Sequence, residues 1–110
     1  MPDDRRNAQR IEVNLPTTWE GLLERNEAAI TSLSLTGCFV LSGGSVKPAE
    51  LLRLEILLPG DRPVCVWAEV VDQANEIGFA ARFTSPSDDE DQKRLLEYIT
   101  AALRIASELG

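Results

Sequence analysis

The sequence contains no histidine among its 110 residues. Histidine is the usual general base near neutral pH and the commonest metal ligand in proteins. Its absence excludes histidine-containing catalytic triads and metal sites. Carboxylates do cluster from Asp88 to Asp91, but this cluster lies where a helix is expected to begin, and negative charge is favoured in a first helical turn. We therefore expect no catalytic site and no metal site, and we expect that the protein is not an enzyme.

Long apolar runs and closely spaced cysteines are also missing. No stretch approaches the roughly 20 apolar residues that span a bilayer, and the first dozen residues are charged, unlike the apolar core of a secretory signal. Cys38 and Cys65 lie in separate apolar runs and lack the close spacing of a metal motif. We expect a cytoplasmic protein with two buried thiols and no membrane insertion.

Positive charge is scarce and is concentrated at one end of the chain. Residues 1–10 carry three arginines against two aspartates, residues 11–87 carry five basic against ten acidic residues, and residues 88–110 carry three against six, which gives the net charge of −7. A protein that binds a nucleic acid polymer needs a broad basic face, because affinity depends on the number of phosphates neutralised. The charge distribution excludes such a polymer and leaves a small anion as a ligand for the basic end.

Apolar and polar residues alternate in five segments of the chain. A period of two is the pattern of a strand with one buried face. The segments follow one another at short spacing with no helical pattern between them, so we expect antiparallel pairing through hairpins. The predicted strands are residues 11–15, ending at Pro16 or continuing through Trp19, and residues 30–41, 52–58, 64–72 and 77–84.

The second predicted strand, residues 30–41, carries small polar side chains on one of its two faces. Ser32 and Ser34 share one parity and are expected to face outward, whereas Leu33 and Leu35 share the other parity. Gly37 interrupts the alternation and predicts a bulge or a close approach of two backbones.

The period changes at the C-terminal end. Ser87 is a candidate helix cap, and apolar residues then recur at intervals of three and four from Leu95 to Leu109, which predicts a helix over about residues 88–108. Five strands and one helix suggest a sheet curled into a barrel whose edge or mouth the helix covers. We expect Trp19 and Trp67 to serve packing in this structure, as most large aromatic side chains do.

Two short motifs in the first third of the chain resemble a known family. Arg6 and Arg10 form an RxxxR pattern just before the first strand, and the stretch SLSLTG from Ser32 to Gly37 is similar to a (D/N)xSxxG motif. Together they resemble the PilZ domain, a bacterial receptor for cyclic di-GMP. The stretch GFAARFT at residues 78–84 is similar to the GxGVxFxx strand of this family, and the acidic terminal helix resembles its final helix. The resemblance covers nearly the whole chain.

The resemblance implies a fold and a division of the chain. The fold is all-β with one helix: a six-stranded antiparallel PilZ-type β-barrel followed by a C-terminal α-helix. The chain would divide into an N-terminal arm at residues 1–10 that folds down on binding, a barrel at residues 11–86 and a helix at residues 87–110.

The resemblance also implies a ligand and the residues that hold it. In this family the two arginines of RxxxR bind cyclic di-GMP, so Arg6 and Arg10 would do so here, with Arg5 as an adjacent auxiliary. A guanidinium group suits this role because it offers a planar fork for phosphate or for the guanine O6/N7 edge, and a flat face for stacking. The positions carried over from the second motif are Ser32, Ser34 and Gly37.

Ser32 departs from the family pattern, which has aspartate or asparagine at this position. Serine is shorter and uncharged, so a charge-assisted hydrogen bond of about 1.5–3 kcal/mol to the ligand is missing. Two functions stay open. In the first, the chain is an adaptor that binds cyclic di-GMP and then engages a protein partner or a second copy of itself, in motility or surface behaviour. In the second, it is a degenerate PilZ domain that acts through protein contacts alone.

Overall fold

Six antiparallel strands close into a barrel in a computed structural model of the chain, which describes residues 9–74 and 77–109. The order of the strands around the barrel is β1-β2-β3-β6-β5-β4, and a helix follows the last strand. This confirms the expected fold class. The elements are β1 (Ile11–Glu20), β2 (Arg25–Leu33), β3 (Gly37–Leu41), β4 (Leu51–Ile56), β5 (Val64–Ala74), β6 (Gly78–Phe83) and α1 (Glu90–Leu109).

The inward-facing side chains of the strands form one apolar core, which Leu95 and Ile99 of α1 complete from one side. Burial of this apolar surface is the main favourable term in folding. The fully or almost fully buried large side chains of the barrel are Trp19, Ile30, Leu33, Val40, Leu52, Leu54, Ile56, Val64, Val66 and Phe79.

The two tryptophans occupy different environments. Trp19 is fully buried, its ring meets that of Phe79 edge to face with centroids 5.7 Å apart, and its Nε1–H donates to Ser42 Oγ at 2.9 Å. The expectation that Trp19 serves packing is confirmed. The same expectation is wrong for Trp67, which is 50% exposed on the outer face of β5. Trp67 alternates with the buried residues Val66 and Ala68, so strand parity turns it outward.

The predicted strand at residues 30–41 is in fact two strands. β2 ends at Leu33 and β3 begins at Gly37, with a tight turn between them. A single strand with a bulge at Gly37 was therefore the wrong interpretation. Leu33, an odd-numbered residue, faces the core before the turn, whereas even-numbered residues face it after the turn. Cys38 and Val40 are therefore buried, and Leu41 is exposed.

β1 is the longer of the two alternatives, since it continues through Pro16 to Glu20. A register irregularity between Glu12 and Leu15 precedes the proline, and bulges are positions where a strand accepts proline. The carbonyl of Pro16 accepts the N–H of Leu57 at 2.9 Å, which links β1 to the residue that follows β4.

Helix α1 begins at Glu90, two residues later than expected. Its cap is Asp89, whose Oδ2 accepts the N–H of Gln92 at 2.9 Å, so Ser87 was the wrong choice. A carboxylate at this position satisfies a free amide and also complements the helix dipole. The described part of the chain contains no helix with the length and hydropathy of a membrane span.

A polar cluster ties α1 to the loop between β4 and β5. Arg94 donates to Asp61 Oδ1 at 3.0 Å, to Asp91 Oδ1 at 3.1 Å and to the carbonyl of Arg62 at 2.7 Å. Asp91 Oδ2 accepts the N–H of Cys65 at 2.8 Å. The N–H of Arg62 and the guanidinium of Arg94 hold the pKa of Asp61 below its usual value.

Both cysteines are free thiols. Cys38 is buried as expected, and burial raises its pKa to about 12, so it stays protonated. Cys65 is only partly buried, which differs from the expectation, because it points outward from β5 toward Arg53 on the neighbouring strand. The Nη2 group of Arg53 donates to Cys65 Sγ at 3.6 Å.

Candidate ligand site on the barrel face

The first two elements of the predicted site meet at the start of β1. Arg10 immediately precedes β1, and Ser32 lies near the end of β2. The antiparallel register places Glu12 opposite Ser32 and Ile11 opposite Leu33, so Arg10 projects beside the end of β2. Its Nη1 donates to Ser32 Oγ at 3.2 Å. One residue from each motif, 22 positions apart in sequence, therefore shares a direct hydrogen bond.

Ser34 has a different position from the one that alternation predicts. It is 2% exposed and begins the turn between β2 and β3, so the prediction that it faces outward beside Ser32 is wrong. Its N–H donates to the carbonyl of Gly37 at 2.8 Å, and its Oγ accepts the N–H groups of Thr36 at 3.3 Å and Gly37 at 3.2 Å. The serine hydroxyl thus holds the turn, which leaves Leu35 and Thr36 exposed at its tip.

Gly37 is required by the close approach of β3 to β6. It pairs with Arg82 across the two strands, and a Cβ added at Gly37 would overlap the carbonyl oxygen of Ala81. The turn is held from the same side, because Phe83 N–H donates to the carbonyl of Thr36 at 2.9 Å. The expected close approach of two backbones at Gly37 is confirmed, although no bulge is present there.

A charged pair lies on the outer face next to Gly37. Arg82, directly opposite the glycine, forms a salt bridge with Glu69 on β5. The guanidinium of Arg82 is therefore partly neutralised, whereas none of the ion pairs among the described residues involves Arg10. Arg10 is the cation that stands nearest to Ser32 within the described chain.

Two of the predicted ligand residues, Arg5 and Arg6, lie outside the described residues. The described part of the site thus consists of Arg10 and Ser32 in contact, with Ser34 and Gly37 shaping the adjacent turn. Sequence reasoning missed the exposure of Trp67, which lies two residues from Glu69 on the same face of β5. The apolar residues at alternate positions from Val64 to Val70 face the core, and this alternation in the sequence indicates that Trp67 faces outward.

Comparisons with known proteins agree with this fold. The family model for the PilZ domain matches residues 4–101. Among solved structures, the chain is similar to the Bacillus subtilis inhibitor of motility (MotI/DgrA), with a TM-score of 0.67 and 22% identity over 86% of this chain and 49% of that one. It is also similar to the PilZ domain of CeSA from a cellulose-synthesizing bacterium, with a TM-score of 0.68 and 14% identity over 84% of this chain and 99% of that domain.

The coverage and the sequence identity of each match determine what it shows about this chain. The two structural likenesses show a shared fold, and the chain spans about half the length of the motility inhibitor. No curated protein matches the chain. The family model covers almost the whole sequence, including both motifs and most of α1. The chain therefore belongs to the PilZ domain family.

Proposed function

We propose that this PilZ domain binds cyclic di-GMP and passes the signal to a protein partner. The observation that carries the proposal is the hydrogen bond from Arg10 Nη1 to Ser32 Oγ at 3.2 Å. It joins the arginine motif to the serine-glycine motif at one place on the barrel. PilZ domains are a family of cyclic di-GMP receptors and serve as binding modules rather than catalysts, so we propose no enzymatic activity.

The chemistry at Arg10 suits a compact dianion that carries guanine bases. A guanidinium group has five N–H donors in a rigid fork, and it pairs in bidentate fashion with phosphate or with the guanine O6/N7 edge. Ser32 uses one of these donors through a single exposed hydrogen bond to an uncharged hydroxyl, which is weaker than the bidentate pair that a guanidinium forms with phosphate. A ligand phosphate can therefore replace the serine at low cost.

The turn from Ser34 to Gly37 would supply the rest of the site. Ser34 is committed to the backbone of the turn, so we propose that it positions the ligand-binding surface without touching the ligand. Gly37 keeps β3 close to β6 and presents no side chain of its own. Arg5 and Arg6 would complete the grip on the ligand from the arm.

The second function also has a specific observation in its favour. Ser32 cannot supply the charged acceptor that aspartate would offer to the polar edge of guanine, and the missing interaction of about 1.5–3 kcal/mol corresponds to roughly ten- to hundredfold in affinity. A PilZ domain that has lost its ligand and acts through protein contacts alone is therefore the alternative.

The cellular role is proposed from the family and from one structural relative. The similar Bacillus subtilis protein is described as an inhibitor of motility, and we propose that this chain acts in motility or surface behaviour. We further propose that it works in the cytoplasm, where cyclic di-GMP is available, with a protein partner or a second copy receiving the signal.

The test is a calorimetric titration of cyclic di-GMP into the full chain at near-physiological salt. We expect a dissociation constant at or below about 10 µM, or −7 kcal/mol, and at least about a hundredfold loss with Arg10→Ala. Arg104→Ala removes the same charge from the exposed end of α1 and should leave binding unchanged.

The Ser32→Asp variant separates the two functions. If the wild type gives no heat and Ser32→Asp restores binding, the chain is a receptor that has lost its ligand. If neither protein binds, the ligand-binding proposal is wrong and the protein-contact function remains.

A further inference from the structure

The tip of the β1–β2 hairpin presents two leucines to solvent. Leu22 is 88% exposed and Leu23 is 92% exposed, the highest values among the large apolar side chains of the described residues. The turn is well defined, because Gly21 N–H donates to the carbonyl of Glu24 at 2.9 Å. Adjacent exposed apolar side chains that border a groove mark an interaction site more often than scattered ones do.

An apolar groove of about 440 Å³ lies directly beside these leucines. Its walls are the turn at residues 21–24 and the loop at residues 45–50. This volume falls within the roughly 300–1,000 Å³ typical of sites that receive apolar groups. Apolar side chains from both walls line it: Leu22, Leu23, Val46, Pro48 and Ala49.

Hydrogen bonds between the two walls of the groove fix their positions relative to each other. Glu50 Oε2 accepts the N–H of Leu22 at 3.4 Å, and Glu24 Oε2 accepts the N–H of Ser45 at 3.2 Å. Within the loop, Glu50 Oε1 accepts the N–H of Lys47 at 3.0 Å. Ala49 adopts a left-handed φ of 68° and its N–H donates to the carbonyl of Val70 at 2.8 Å. A preformed groove of this kind lowers the ordering cost of binding.

The charge around the groove indicates which charge a molecule bound there should carry. The residues that line the groove include two glutamates, Glu24 and Glu50, against one lysine, Lys47, a net charge of −1 on a chain of net charge −7. Anionic lipid and a second copy of this acidic chain would both be repelled. A cationic occupant would be attracted and oriented.

The shape of the groove indicates which secondary structure a bound protein segment should have. Its lining residues belong to a turn and a loop, which offer no row of unpaired strand groups for an added strand. Docking must therefore use side chains, as when the apolar face of an amphipathic helix enters a groove. We propose that this groove, rimmed by Leu22 and Leu23, binds a partner protein through an amphipathic helix whose apolar face is flanked by lysines or arginines. For its biological meaning the proposal rests on the adaptor function.

The test uses nuclear magnetic resonance to map binding of a model peptide to the full chain without cyclic di-GMP. The probe is an amphipathic leucine-lysine peptide of about 14 residues, roughly 21 Å of helix. Its control is a peptide of the same composition with the leucines spread around the helix. We expect chemical-shift changes at residues 21–24 and 45–50 with the first peptide and at least about a tenfold weaker response with the second.

Protein variants then test the two leucines. Leu22→Ser with Leu23→Ser keeps the net charge and should weaken peptide binding at least about tenfold, as expected for a pair of central apolar anchors. Ile105→Ser replaces a side chain that is 57% exposed on α1 and should have no effect. Equal binding of both peptides, shifts elsewhere on the barrel, or an unchanged affinity in the double variant would overturn the proposal.

Two further measurements decide between occupants and between proposals. Concentration-dependent self-association in sedimentation that is lost with the double variant, or binding to anionic vesicles that requires the leucines, would also overturn it. Arg10→Ala should bind the peptide like the wild type. Failure of cyclic di-GMP binding alone thus disproves the ligand proposal, whereas failure of peptide mapping alone disproves this one.

Discussion

The two ends of the β1–β2 hairpin have opposite chemistry. At one end Arg10 contacts Ser32 beside the Ser34–Gly37 turn, and the surface is polar and cationic. At the other end Leu22 and Leu23 border an apolar groove with an acidic rim. The ten residues of β1, at roughly 3.3 Å each, separate these ends by about 30 Å. One pair of strands therefore positions both candidate surfaces.

The contrast between the two ends shows how a small barrel can keep two candidate surfaces apart. The polar end is built from side-chain hydrogen bonds around a tight turn, whereas the apolar end is built from exposed leucines and a braced loop. Because each end has its own local supports, each can be weakened while the other stays intact.

Gly37→Ala should destabilise the polar end most. The added Cβ would overlap the carbonyl oxygen of Ala81, and overpacking of this kind typically costs about 2–3 kcal/mol. Thermal unfolding should show a midpoint lower by roughly 10 °C or more, at about 4–8 °C per kcal/mol for a domain of this size. Gly43→Ala is the matched control, because a Cβ at that position has no neighbour within 4 Å. An equal shift in both variants would refute the close-approach explanation.

Ser34→Ala and Ser42→Ala should destabilise the protein equally but affect opposite ends. Ser34→Ala leaves the N–H groups of Thr36 and Gly37 without their acceptor, and Ser42→Ala does the same to Trp19 Nε1–H at the other end. Each should lower the free energy of unfolding by about 1–2 kcal/mol in denaturant titrations.

The binding measurements then distinguish the two serine variants. Ser34→Ala should weaken cyclic di-GMP binding and leave the leucine-lysine peptide unaffected, whereas Ser42→Ala should do the reverse. If both variants weakened both ligands, the two ends would not be independent.

Arg94→Ala should have the smallest effect, and that effect should depend on pH. Because the pKa of Asp61 is lowered in the folded state, its contribution to stability is present above the unfolded pKa of about 3.9 and is lost as pH falls through the folded pKa. The stability difference between wild type and variant should therefore shrink below about pH 4. Denaturant titrations at pH 7 and pH 3 measure this. A constant difference, like that expected for Arg104→Ala, would contradict the role of Asp61.

Much of the fold could be predicted because alternation reports burial directly. Five strand segments and the helix are recognisable in the sequence, and so are the two motifs whose residues Arg10 and Ser32 meet in the structure. The first half of β2 could not be recognised, because Arg25, Asn26 and Glu27 interrupt any apolar pattern there. Pairing with the long β1 holds these residues in a strand.

The details of the site were harder to predict because they depend on a turn that alternation conceals. Ser32 and Thr36 share the parity of Ser34 while Leu33 and Leu35 occupy the other, so the alternation runs through the turn that the hydroxyl of Ser34 stabilises. Only the structure shows that Ser34 is buried and Ser32 is not. The exposed leucines at 22 and 23 likewise give no periodic signal, since two apolar residues in a turn fit neither the strand nor the helix pattern.

The contrast between the two tryptophans also provides an optical reporter. Trp19 is sealed in the core near the leucine end, and Trp67 is half exposed on the outer face of β5. A water-soluble quencher such as iodide will reach Trp67 and leave Trp19 shielded. Fluorescence from the unlabelled protein thus contains one signal for the integrity of the barrel interior and another for contacts on its surface, and Trp67→Phe isolates the first.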